Sequence, residues 1–357
     1  MDSLWDVPHV TFKGMVLLLI AVATAFAFGI IEYAFRPFKP PPSRVCGVGD
    51  GPPITSPRIK LGDGRHLSYR ETGVSIEESK HKVIIIHGFD SSKDLELPIS
   101  QELIEEFKIY ILQYDRAGYG ESDPYPSRSV KTEAYDVQEL ADKLHVGPKF
   151  HVIGLSLGCY AVYSCIKYIP HRLAGASLVV PVVNYWWKRV PGDLLREGFR
   201  LYNLQDRWAY RVSHYVPWLF HWWTKQQWLT RSCMMAGNTY MLTPADLKFL
   251  EIWSENPIPH KEKIRQQGEY ESVHRDVMVA YGKWEFDPTE LDDPFPSKEG
   301  SVHLWQGLDD KISPLCVNRY ISRKLPWVKL HEVPRGGHLM VYDQEICQAV
   351  LRMLLVG

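Results

Sequence analysis

Gly154-Leu155-Ser156-Leu157-Gly158 decides the reading of this chain. It fits the pattern G-x-S-x-G, and its flanks give that pattern mechanical meaning. The apolar run Phe150-His151-Val152-Ile153 precedes it, and a helix-compatible run, Cys159 to Ile169, follows. Strand, sharp turn and helix together predict a serine held in a strained conformation at the carboxyl end of a strand. The flanking glycines remove side chains that would clash in so tight a turn. The hydroxyl is left exposed, with the amino end of the helix beneath it.

A serine hydroxyl is a poor nucleophile at neutral pH and needs a base, and the base needs a carboxylate to orient it. Among fourteen histidines, His338 stands out. It lies in Pro334-Arg335-Gly336-Gly337-His338, between the strand-like Val328 to Val333 and the helix-like Asp343 to Leu355. A general base belongs on such a loop, and the glycine pair lets the backbone turn tightly there. For the acid, Val302 to Trp305 reads as a buried strand and Gln306 to Lys311 as a turn, so Asp309 and Asp310 are both within reach. An ordinary aspartate turn is the plainer reading of the same residues. The β-branched run Lys82 to Ile86 reads as a buried parallel strand ending in His87-Gly88-Phe89. The backbone N–H groups of Phe89 and Leu157 are then candidate donors to an oxyanion.

At this point the sequence resembles the serine-dependent α/β-hydrolases over about residues 57 to 357. The matching pieces are His87-Gly88-Phe89, Tyr114-Asp115-Arg116-Ala117-Gly118-Tyr119-Gly120-Glu121-Ser122, the Ser156 turn, Gly307-Leu308-Asp309-Asp310 and Gly336-Gly337-His338. In that family the acid is commonly the last residue of a G-x-x-D segment, which falls on Asp310. The resemblance therefore implies a triad of Ser156, Asp310 and His338. The segment Asp115 to Ser122 is similar to the family's D-x-x-G-x-G-x-S loop and reads as structural. A carboxylate in place of Ser156 would have suggested an epoxide hydrolase or dehalogenase. Several segments resemble a plant group of membrane-tethered hydrolases.

The amino end differs in character. Gly14 to Ile31 is eighteen residues without a charge. As a helix it spans ~27 Å, close to the hydrocarbon thickness of a bilayer. Residues 14–35 are expected to form a single transmembrane anchor after the segment 1–13. The acidic lead residues Asp2 and Asp6 do not suit a cleaved signal peptide. Lys13 precedes the run, whereas Arg36, Lys39 and Arg44 follow it, and no N-x-S/T sequon occurs. Both features place the remainder on the cytosolic side, with the endoplasmic reticulum as one candidate membrane. Residues 36–57, rich in proline and glycine, suit a semi-rigid spacer.

Beyond residue 57 the chain reads as a hairpin (Arg58 to Leu61, His66 to Glu71) and then alternates. Strands are expected at Lys82 to Ile86, Ile109 to Tyr114, Phe150 to Ile153 and Ala176 to Val180. Helices are expected near Leu95 to Phe107 and Thr132 to Leu144. Such alternation predicts a mostly parallel sheet with helices on both faces, built from residues 58–184 and 301–357. Between Tyr185 and Gly300 helical periodicity replaces it, and nine of the twelve tryptophans fall there. The resemblance implies that residues 185–300 form a helical cap over the site. Its tryptophans are read either as the cap's core or, for Trp218, Trp222, Trp223 and Trp228, as a surface facing lipid or a bulky apolar substrate.

The formal net charge is -1 with no long charged block, which gives no support to nucleic-acid binding. Six cysteines are scattered without a C-x-x-C pair, so no zinc or redox site is indicated. The expected chemistry is carboxylic ester hydrolysis through an acyl-serine, with no metal or organic cofactor. The expected substrate is a small lipophilic ester. An acyltransferase, a lyase or a non-turnover small-molecule receptor could be built on the same residues. Oligomeric state is not legible.

Overall fold

The computed structural model describes residues 12–226, 239–255 and 261–356. The chain divides into two units, Met1–Pro40 and Pro41–Gly357. In the first, helix α1 (Phe12–Phe35) has no acidic residue in its first turn and is followed by a short turn of 3-10 helix, Arg36–Phe38. Within the stretch from Lys13 to Phe38 an 18-residue window has a mean hydropathy of 2.6, and none of it is buried within the chain. Its length and composition suit a membrane span, as they would a signal sequence.

The second unit is organised on a sheet whose eight described strands lie in the order β1-β2-β4-β3-β5-β6-β7-β8. They are β1 (Arg58–Lys60), β2 (His66–Gly73), β3 (His81–Ile86), β4 (Ile109–Tyr114), β5 (Phe150–Leu155), β6 (Leu173–Val179), β7 (Val302–Gly307) and β8 (Val328–Val333). From β4 to β8 every pairing is parallel, while β1 and β2 add an antiparallel edge. Successive side chains of a strand point to opposite faces, so β3 feeds two cores. Ile84 and Ile86 pack with Val137, Leu140 and Val162, whereas Val83 and Ile85 pack with Leu103, Leu351 and Leu354. This is an α/β-hydrolase fold, and both faces of its sheet are covered as a parallel sheet requires.

The covering helices are α2 (Gln101–Phe107), α3 (Val130–Lys143), α4 (Cys159–Tyr168), α10 (Leu315–Lys324) and α11 (Gln344–Val356). Helix α2 begins six residues later than the sequence pattern suggests. Pro98 interrupts the earlier stretch, and Ser100 caps the helix by accepting a hydrogen bond from the Leu103 N–H at 3.3 Å. Between β6 and β7 lie α5 (Gly192–Arg200), α6 (Leu204–Tyr215), α7 (Pro217–Thr224), α8 (Pro244–Glu255) and a π-turn, Tyr270–His274, that runs into α9 (Arg275–Tyr281).

Part of the proline-rich stretch 36–57 is packed rather than extended. The Arg44 N–H donates to the Gln267 carbonyl at 3.0 Å, Cys46 is buried, and Thr55 and Ser56 hydrogen-bond the Glu121 carboxylate.

Candidate active site

Register gathers the site. Ile86 of β3 lies opposite Gly154 of β5, and Gly307 of β7 lies opposite Val333 of β8. The segments that leave these four strands therefore emerge at one edge of the sheet. Those segments carry Phe89, Ser156, Asp310 and His338.

Ser156 sits at φ +52°, in the left-handed region that a side chain rarely adopts. The flanking glycines make that turn possible by admitting close neighbours. A Cβ on Gly154 would lie 2.6 Å from Val162 Cγ2, and one on Gly158 would collide with the Ile86 and His87 carbonyl oxygens. Ser156 Oγ lies 2.8 Å from His338 Nε2, across 182 positions of sequence. His338 Nδ1 lies 2.9 Å from Asp310 Oδ2. A carboxylate facing Nδ1 keeps the proton on that nitrogen and leaves Nε2 to accept the serine hydroxyl.

Asp310 does two jobs. Its Oδ1 accepts the backbone N–H groups of Ile312 and Ser313 at 2.8 and 3.0 Å, which is the aspartate turn expected of such a sequence. Its Oδ2 is thereby fixed toward the imidazole. Asp309 points elsewhere and is exposed, but its N–H donates to the Gly336 carbonyl at 3.0 Å and ties the two loops together. Burial alone would depress the His338 pKa. The Asp310 carboxylate, by charge and hydrogen bond, and the Asp246 charge outweigh burial and raise it above the ordinary histidine value.

Phe89 and Leu157 both line the cavity that Ser156 and His338 open into. The peptide before Phe89 is held from behind. The Gly88 carbonyl lies 2.8 Å from His87 Nδ1 and accepts a 2.8 Å hydrogen bond from Arg116 Nη2. His87 Nε2 accepts the Arg116 N–H at 3.1 Å, so the imidazole is neutral with its proton on Nδ1. Burial, then the Arg116 charge, holds its pKa well below the ordinary value. In a trans peptide the Phe89 N–H points opposite to the Gly88 carbonyl.

The D-x-x-G-x-G-x-S segment reaches the site through Arg116. The guanidinium is fully buried and pairs two-pronged with Asp276 at 2.6 and 2.7 Å. Tyr119, Tyr160 and Arg128 also donate to Asp276, at 2.8, 2.5 and 3.3 Å. Burial would raise the Asp276 pKa, but Arg116 and Arg128 bring it down to about 2. Asp115 in the same segment is pushed up to about 6 by burial, against the charge of Lys93.

Two residues here escaped sequence reasoning, Asp246 and Asp276, both in the helical segment between β6 and β7. Thr243-Pro244-Ala245-Asp246 has the form of a helix-capping pattern, so the start of α8 was detectable, but its contact with the His338 loop was not.

The cavity has a volume of about 370 Å³. Leu155, Val180, Met241, Leu250, Ile312 and Val341 make its walls largely apolar, while Tyr202, Asp206 and Tyr210 of the α6 region line another part. Among the described tryptophans none lines it. Trp187 and Trp284 pack edge-on in the core at 5.2 Å, Trp218 is exposed, and Trp222 and Trp223 are half-buried. Trp228 lies outside the described residues.

The described residues contain no cluster of His, Cys, Asp and Glu that could hold a metal ion. RutD of Caulobacter sp. (strain K31), a protein named for carbamate hydrolysis, is 26% identical over 275 residues, covering 76% of this chain and 88% of that one. A thermophilic esterase from Thermogutta terrifontis superposes with a TM-score of 0.54 at 21% identity, covering 84% of this chain and 98% of that one. The enol-lactonase of Burkholderia xenovorans LB400 gives a TM-score of 0.57 at 12% identity, covering 84% and 100%. The model of the alpha/beta hydrolase family matches residues 83–349. The chain belongs to the alpha/beta hydrolase family.

Proposed function

We propose that this hydrolase is a serine esterase that cleaves small lipophilic esters through an acyl-enzyme on Ser156. The observation that carries the reading is the hydrogen-bonded chain Ser156–His338–Asp310 beneath a largely apolar cavity. Ser156 Oγ attacks the ester carbonyl carbon as His338 Nε2 takes its proton. The backbone N–H groups of Phe89 and Leu157 receive the oxyanion, each worth roughly 3–4 kcal/mol in the transition state. His338 then gives its proton to the leaving alcohol. Water, deprotonated by His338, releases the acid and restores the serine.

In the same reading the helical segment 185–300 is a cap, since it supplies Tyr202, Asp206, Tyr210, Met241 and Leu250 to the cavity. Helix α1 is a single-pass anchor. The basic residues Arg36, Lys39 and Arg44 after it, against Lys13 before it, favour a cytosolic body.

The test is covalent labelling of the full chain in detergent by a fluorophosphonate, with the adduct located by peptide mass spectrometry. The expected result is an adduct on Ser156 that disappears in Ser156→Ala and falls sharply in His338→Ala. An unlabelled Ser156 in folded protein would overturn the reading.

A further inference from the structure

Helix α6 has two working faces. Asp206 and Tyr210, with Tyr202 just before the helix, are turned to the cavity. On the opposite side Leu204 is 55% exposed, Trp208 48% and Tyr215 65%. Positions 204, 208, 211 and 215 follow the helical repeat and fall in one stripe. Trp218, exposed at the start of α7, extends it. The remaining place is taken by Arg211, whose guanidinium lies 5.3 Å from the centre of the Trp208 ring.

A globular surface helix ordinarily gives water its polar face. Here the outward face carries leucine, tryptophan and tyrosine with basic residues among them. Arg207 and Arg211 are held by the backbone carbonyls of Asn203 and Arg207, and neither is in an ion pair among the described residues. Both side chains are half-buried, and the Arg211 guanidinium also lies 4.9 Å from the centre of the Phe199 ring. Leucine and tryptophan beside arginine is the composition of a helix lying in the headgroup region of an anionic bilayer. The same chain supplies a reason for a bilayer to be near. Only residues 39–43 separate the turn after α1 from Arg44, which is hydrogen-bonded into the folded body. Five residues reach at most about 18 Å, so a body tethered to an inserted α1 stays at the membrane surface.

We propose that the stripe Leu204, Trp208, Arg211, Tyr215 and Trp218 docks on an anionic bilayer surface and that the Ser156 cavity takes esters dissolved in that bilayer. The docking rests on the stripe and on the anchor reading of α1, whereas the substrate clause rests on the esterase reading above. One helix then separates the acyl region from the cavity, and a lipophilic ester need not cross bulk water to reach Ser156.

The test uses the full chain reconstituted into vesicles containing a diazirine-bearing phospholipid, with adducts mapped by peptide mass spectrometry. In phosphatidylcholine with one-fifth phosphatidylserine, adducts are expected on both α1 and residues 201–218. In pure phosphatidylcholine the 201–218 adducts should fall about fivefold or more, since each arginine near an anionic surface contributes appreciably. The double variant Leu204→Glu/Trp208→Glu should lose the 201–218 adducts and keep those on α1. It should also hydrolyse a vesicle-borne ester about tenfold more slowly while Ser156 still reacts with fluorophosphonate at the native rate. Adducts on α1 alone would overturn the proposal, and that is the outcome expected if the stripe seats a protein instead. Equal labelling in neutral and anionic vesicles would overturn its electrostatic part. Failure of the esterase reading shows separately, as an unreactive Ser156 with the lipid adducts unchanged.

Discussion

The Asp246 carboxylate and the Leu339 backbone N–H lie 2.6 Å apart across 93 positions of sequence, joining the start of α8 to the residue after His338. The other carboxylate oxygen of Asp246 accepts the Thr243 N–H at 2.9 Å and its hydroxyl at 2.8 Å. A Cβ on Gly337 would collide with this carboxylate. The residues on both sides of His338 are thus braced by the helical segment that also walls the cavity.

Removing that brace should cost activity more than stability. A hydrogen bond to a buried charged group contributes about 1.5–3 kcal/mol. If the transition state feels most of it, Asp246→Ala lowers kcat/KM roughly 10- to 100-fold, measured beside a urea denaturation midpoint. The charge has a second effect, on pH. His338 must be neutral to accept the serine proton, so its raised pKa places the acidic limb of kcat/KM above the ordinary histidine value of about 6.5. Asp246→Asn should move that limb to lower pH. Stability runs the other way. The folded state holds the His338 proton more tightly than the unfolded chain does. This contribution is fully present below the unfolded pKa and is lost as pH rises through the folded one.

The neighbouring aspartates make a matched pair. Asp310 is buried against His338, while Asp309 is exposed and engages Gly336 only through its backbone. Asp310→Asn should lower kcat about 10⁴-fold, since the amide would favour the wrong imidazole tautomer. Asp309→Asn should leave kcat within about twofold, because no side-chain contact to the base is lost. Steady-state kinetics on one ester decides it, and the reverse order would make Asp309 the orienting residue.

The Arg116–Asp276 pair predicts a stability effect of a different size. Both side chains are fully buried. Asp276→Ala leaves Arg116 charged with its main partner gone, at a cost of about 3–5 kcal/mol. Chemical denaturation of the detergent-solubilised chain measures it. A loss under 1 kcal/mol would mean that water or another carboxylate reaches the guanidinium. Because Arg116 also holds the Gly88 carbonyl, the same variant should lose fluorophosphonate reactivity at temperatures where it remains folded.

What could be read beforehand was what neighbours in sequence determine. The Ser156 turn declares itself because the strand, the two glycines and the helix are contiguous. Ile109 to Tyr114 was legible as a strand down to its ends because a buried parallel strand is largely apolar. Val328 to Val333 was legible too although, at the sheet edge, it carries Lys329, His331 and Glu332 and is only partly buried. Distant partners hid the rest. Nothing near Asp246 announces Leu339, and nothing near Arg116 announces Asp276, 160 positions away. The stretch from Arg44 to Pro57 looks like a spacer because proline and glycine disfavour helix and strand. Gln267 and Glu121 nevertheless give its backbone polar groups partners, and it packs. Of the tryptophans read as a candidate surface, Trp218 is exposed and Trp222 and Trp223 are half-buried. Trp208 and the other exposed residues of α6 were not legible, because only a known inner face fixes that helix's phase.

Helix α11 and the loop before it have a consequence for biosynthesis. His338 lies 182 positions after Ser156, and the strand leading to it comes last of the described strands. Ser156 emerges from the ribosome well over a hundred residues before its base is made. Its strained turn can close early against β3, but the hydroxyl stays unarmed until the final strand is laid down. In the esterase reading, a chain cut short anywhere before residue 338 would carry a nucleophile that attacks nothing. Synthesis order alone therefore keeps an unfinished chain from acting as a hydrolase.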